Sequence, residues 1–85
     1  MSSDVTLIRD NLKFPAPYRR DLTGESLLYE LELCMRNHMK VGDVLILPDS
    51  ILAKAGPITQ TPVVPWPSIT TRDPAANAWR IERVG

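Results

Sequence analysis

Apolar residues recur at helical spacing in only one stretch of this chain. Set about 100° apart, Leu27, Leu28, Leu31, Cys34, Met35 and His38 fall on one face, while Glu30, Glu32, Arg36, Asn37 and Lys40 lie elsewhere. Thr23 can cap the first amides and Glu25 sits where the helix dipole favours an acid. The pattern predicts an amphipathic helix from Gly24 to Met39 with that face, His38 included, against the core. Tyr29 and Leu33 break the pattern together. Four residues apart, they form a second, smaller stripe on the side of Arg36 and Lys40, which either the N-terminal segment or a partner covers.

The rest of the pattern is extended. Val44-Leu45-Ile46-Leu47 is four aliphatic residues stopped by Pro48, the signature of a buried strand. Ala78 to Val84 alternates and predicts a terminal strand with Trp79 and Ile81 inward. Between them, Asp49 or Ser50 can cap a short turn of helix, Ile51 to Ala55, closed by Gly56 and Pro57. Ile58 to Thr61 alternates, but Pro62, Pro65 and Pro67 confine that region to a sheet edge or a loop. Asp73-Pro74 reads as a cap and first helical residue, with a turn through Asn77. At the other end, Val5 to Ile8 can pair as a short strand, and Phe14-Pro15-Ala16-Pro17-Tyr18 is held extended by its prolines. Residues 1–20 are therefore expected to be an extended arm outside the core, and residues 21–85 a single small domain. The fold class is α+β: one amphipathic helix on a small antiparallel sheet, with the N-terminal arm and a proline-rich segment.

Composition narrows what such a chain can do. At 85 residues it builds one core at most. Ten Lys and Arg balance ten Asp and Glu, and the balance holds separately in residues 1–40 and 41–85, which argues against strong electrostatic steering onto nucleic acid. One cysteine and one histidine supply neither an internal disulfide nor a four-ligand zinc site. The longest apolar run is far short of a membrane span, and Met1-Ser2-Ser3-Asp4 lacks the charged start of a signal peptide. The expected location is the host-cell cytoplasm, with association to a virion as the alternative. With eight prolines and no staple, the core is expected to be thin, so self-association or a partner would complete its burial.

Few residue constellations suggest chemistry. Cys34 and His38, four apart on the helix, have the spacing of a thiolate-imidazole pair, but both sit on the apolar face, where a small buried thiol and a histidine capping the last turn's carbonyls are the commoner explanation. No glycine-rich phosphate loop, carboxylate pair or catalytic triad order is present, so the chain reads as a non-enzyme without a cofactor. Lys13-Phe14 and Tyr18-Arg19-Arg20 alternate cations and aromatics as single-stranded nucleic-acid binders do, yet Asp10 and Asp21 flank them. Pro62-Val63-Val64-Pro65 has polyproline-ligand spacing without a flanking arginine. Trp66, in Pro-Trp-Pro, either plugs the core or projects as an anchor; a chain this small needs the area, so the plug is the first expectation.

The C-terminal segments Val64-Pro65-Trp66-Pro67-Ser68 and Asp73-Pro74-Ala75-Ala76-Asn77-Ala78-Trp79-Arg80-Ile81 resemble the closing segment of the phage Thoeris anti-defence sponges. That resemblance implies a small α+β oligomer that sequesters a cyclic ADP-ribose-like signal, and a phage origin. The stretch from Ser68 to Asp73 is longer than the family's pattern, and the family's basic and tryptophan motif is missing around Lys40 to Val44, so its ligand residues are not carried over. The leading expectation is a non-enzymatic interaction protein, a phage or mobile-element accessory acting as a host-factor inhibitor or assembly subunit. Its expected contacts are Phe14, Tyr18, Arg19, Arg20, Tyr29, Leu33 and Trp66. A sponge for a nucleotide-type ligand is the alternative, and single-stranded nucleic-acid binding ranks behind both.

Overall fold

The computed structural model describes residues 4–56, 61–73 and 77–84. Seven elements follow in order: β1 (Thr6–Arg9), β2 (Leu12–Pro15), α1 (Gly24–His38), β3 (Val44–Ile46), α2 (Asp49–Ala55), β4 (Ser68–Asp73) and β5 (Ala78–Arg83). The strands form one antiparallel sheet in the order β2-β1-β3-β5-β4. The α+β class therefore stands as expected, with α2 as the short connector helix. Gly56, at φ 81°, donates its amide to Leu52 O and closes α2 where the sequence places the stop.

Because directly opposed residues of an antiparallel pair share a face, the register sorts the side chains. Leu7, Leu45 and Trp79 lie in one row, and with Val5, Leu47 and Ile81 they meet Leu27, Leu31, Cys34 and Met35 of α1 and Ile51 and Ala55 of α2 in a single core. His38 departs from the expected core face and is exposed. It is the last residue of α1, beyond the sheet's end, and contributes its carbonyl instead: Arg9 Nη2 donates to His38 O at 2.9 Å.

The largest correction concerns residues 1–20. Their described part is extended, but it is no detached arm: Val5 and Leu7 are buried in the core, and β1 lies inside the sheet between β2 and β3. The cause is a tight reversal at Asp10 and Asn11, both left-handed at φ 53° and 65°. They form the two-residue connection that matches the right-handed twist of a hairpin. Pro15 is tolerated because β2 is an outer strand, and the Ala16 amide extends the pairing to Val5 O at 3.1 Å.

β4 was also absent from the sequence expectation, which saw only a cap at Asp73. Its β-branched run Ile69-Thr70-Thr71 pairs along its whole length with β5. Asp73 is the final residue of that strand; the cap and turn expected from Asp73 through Asn77 fall largely on residues 74–76 and the strand at Ile58 on residues 57–60, both outside the described residues.

Candidate interaction site

The expected contact residues separate into those the fold consumes and those it leaves outward. Tyr18 and Arg20, both tied to Asp4, belong to the first group. The Tyr18 hydroxyl donates to Asp4 Oδ1, Arg20 Nε donates to Asp4 Oδ2 at 2.6 Å, and the guanidinium also reaches the Ala16 and Tyr18 carbonyls at 3.1 Å. The same guanidinium lies 4.8 Å from the centre of the Tyr18 ring. Burial and the bond to Asp4 push the Tyr18 phenol up to about 12. Burial alone would raise Asp4, but the bonds from Tyr18, Arg20 and the Val5 amide outweigh it and hold the carboxyl below its ordinary value. This knot folds residues 16–20 back onto the start of β1, and Tyr18 packs against the core. Arg19, exposed, pairs with Asp21 at 3.1 Å. The cation-aromatic alternation seen in the sequence is thus largely spent on the chain's own carboxylates.

Phe14, Tyr29, Leu33 and Trp66 form the second group. Phe14 stands opposite Leu7 on the outer strand β2 and is exposed. Tyr29 is exposed and Leu33 half-buried on the outward side of α1, so the N-terminal segment does not cover the tyrosine of this stripe. Trp66 overturns the core-plug expectation: it is 84% exposed. Its turn is fixed at both ends, since the Ser68 amide donates to Pro65 O at 3.0 Å and the Val84 amide to Pro67 O at 2.7 Å. The neighbouring Val64 packs against the core and Val63 points outward. The plug is Trp79, because β5 lies between two strands while the Pro-Trp-Pro turn lies at the sheet's end.

The register exposes a surface that the sequence reading missed. The face opposite the core carries Thr6 and Ile8 of β1, Val44 and Ile46 of β3, and Ala78 and Arg80 of β5. Neither helix packs there: the core cluster that contains both helices excludes all six. Ile8, Val44, Ile46 and Ala78 floor an open groove of about 330 Å³, with Arg72 and Arg80 at its rim. The signal was the apolar run Val44 to Leu47 itself. A run of aliphatic residues at every position reads as a buried strand, and its alternate residues serve the core and the groove.

The Cys34–His38 pair is not arranged as a nucleophile and its base. Burial pushes the Cys34 thiol up to about 11, away from the thiolate a nucleophile needs. Its helical neighbour His38 is exposed while Cys34 is buried. Among the described residues, no group of His, Cys, Asp or Glu is placed to hold a metal, and no helix is long and apolar enough to cross a membrane. Comparison with known protein families, with curated proteins and with solved structures finds no match to this chain.

Proposed function

We propose that this chain is a non-enzymatic interaction protein, a phage or mobile-element accessory that acts in the host cytoplasm by protein-protein contact as a host-factor inhibitor or assembly subunit. The observation that carries the reading is Trp66, a large indole left 84% exposed on a turn held by two backbone hydrogen bonds. Aromatic side chains bury about 150–250 Å² each and dominate contact energetics, and tryptophan is enriched among the residues that hold interfaces together. A turn already fixed in the free protein loses little entropy on docking, so more of that burial survives as affinity. Val63 beside it and Tyr29 on α1 offer further apolar area.

The test is affinity capture from the native host with the wild-type chain and with Trp66→Ala. The wild type should retain a partner that the variant loses, while the far-ultraviolet circular dichroism and melting midpoint of the two agree. Equal retention by both would sink this reading.

A second reading rests on the groove. Its apolar floor suits a planar ring, and Arg72 and Arg80, with Asp73 beside them, supply polar contacts for a nucleotide-type ligand, in keeping with the sponge family that the C-terminal segments resemble. A ligand that binds only the native state raises its melting midpoint, by about 2.7 kcal/mol of stability at a hundredfold excess over its dissociation constant. Adenine dinucleotides, linear and cyclic, should then shift the melt by several degrees, and an unchanged melt at millimolar ligand removes this reading.

A further inference from the structure

We infer that the helix-free face of the sheet is the docking surface for a second copy of this chain, packed face to face with β3 over β3. The inference goes beyond the Trp66 contact and is independent of it. Three observations lead to a second copy rather than an unlike partner.

The first is the symmetry of the face. β3 is the central strand of five, and it contributes the aliphatic pair Val44 and Ile46. A two-fold axis running along β3 superposes that pair on itself and exchanges β1 with β5 and β2 with β4. By register, Thr6 then meets Ala78 of the second copy, and Ile8 meets the aliphatic stem of its Arg80. The apolar floor is self-complementary, as an isologous contact requires.

The second is charge. Lys13 opposes Ile8 from β2 and Asp73 opposes Ala78 from β4, on the same face at opposite margins of the sheet. Exchange of the outer strands carries the lysine of one copy to the side of the other that holds the aspartate. By register the face carries Lys13 on the β1 side and Arg80, Glu82 and Asp73 on the β5 side, positive on one side and net negative on the other, and on a chain of zero formal charge it selects its own copy better than a strongly charged partner.

The third is area. Strand spacings of about 4.8 Å and about 3.3 Å per residue give the face a footprint of roughly 400–500 Å². The pair would remove roughly 800–1,000 Å² from water, below the about 1,600 Å² of a standard stable complex. The dimer is therefore weak and governed by concentration, with the two sheets aligned at about 30° and a helix layer on each outer side.

Sedimentation velocity from about 1 µM to about 1 mM reads the association directly. The wild type should pass from monomer to dimer across that range, and Ile46→Lys should weaken the association at least tenfold. Ile46 is half-buried on this face, and the lysine stem can lie along the sheet with its ammonium in water, so the variant should keep its fold; circular dichroism checks this. Trp66→Ala should dimerise as the wild type does. Methyl spectra supply a readout without mutation: the Ile8, Val44 and Ile46 resonances should move with concentration and those of Leu27 and Leu31 should stay still. A monomer at every concentration overturns the inference. So does a folded Ile46→Lys that dimerises like the wild type, a dimer lost in Trp66→Ala, or concentration shifts confined to the helix side.

Discussion

Replacing Trp79 with alanine should lower the melting midpoint by roughly 20 °C or more, or unfold the chain outright. Trp79 is 2% exposed and is the largest of the fully buried side chains, in the row that joins Leu45 to β4. Truncation of a buried tryptophan costs about 3–5 kcal/mol, from lost transfer energy and the cavity left behind. A chain of this length has about 4–13 kcal/mol in total, and each kcal/mol moves the midpoint of a domain this small by about 4–8 °C. The same substitution at Trp66 removes an outward side chain and should stay within about 0.5 kcal/mol of the wild type. A circular-dichroism melt of the two variants tests both statements. A Trp79→Ala protein melting within a few degrees of the wild type would mean that the core is not organised around that indole.

Asp43→Ala should cost about 2–3 kcal/mol, read from urea titration at neutral pH. Asp43 is 3% exposed, and its carboxylate accepts from Arg9 Nε at 3.0 and 3.2 Å, from Arg9 Nη2 at 2.6 Å and from the Lys40 amide at 2.8 Å. With Arg9 also donating to His38 O, one side chain fastens β1, the end of α1 and the turn that leads into β3. Breaking a buried ion pair commonly costs about 3–5 kcal/mol because the remaining charge is stranded. Here the Arg9 side chain is 36% exposed and regains water, so the lower figure follows.

This carboxylate also sets a pH dependence. Burial would raise Asp43, but the bonds from Arg9 and the Lys40 amide outweigh it and hold the folded-state value below that of a free carboxyl. Such a group binds its proton more readily in the unfolded chain. Its contribution is complete above the ordinary carboxylate range and is lost as pH falls through the lowered folded value. Asp4, lowered as well, acts in the same direction. The wild type should lose stability in acid, and Asp43→Ala should lose less over the same interval. An equal acid loss in both would remove Asp43 from the account.

The candidate surfaces were legible only in part. Helical spacing placed α1 within a residue of its observed ends, and strict alternation put Trp79 and Ile81 inward. Tyr29 was visible as an apolar residue off the core stripe, which needs no partner element to recognise. A strand at Val5 to Ile8 is legible, but the hairpin at Asp10-Asn11 is not, because the prolines after Phe14 point to an extended arm outside the core, although an Asp-Asn pair between apolar runs is a turn signal. β4 lies between Pro67 and Pro74, which mask the strand signal of its β-branched run Ile69-Thr70-Thr71 until β5 pairs along it. The spending of Tyr18 and Arg20 on Asp4 joins residues distant in sequence, and no local pattern announces it.

The sequence by itself determined the α+β class, the amphipathic helix, two of the strands and the balance of charge, because each follows from spacing or composition within a short window. Only the tertiary structure decided which tryptophan is core and which is surface, that the N-terminal segment completes the sheet, and that Val44 and Ile46 of β3 face away from the helices. Those outcomes depend on strand order. A residue's face is set by periodicity, but whether that face meets a helix, another strand or water is set by which distant segments pair beside it.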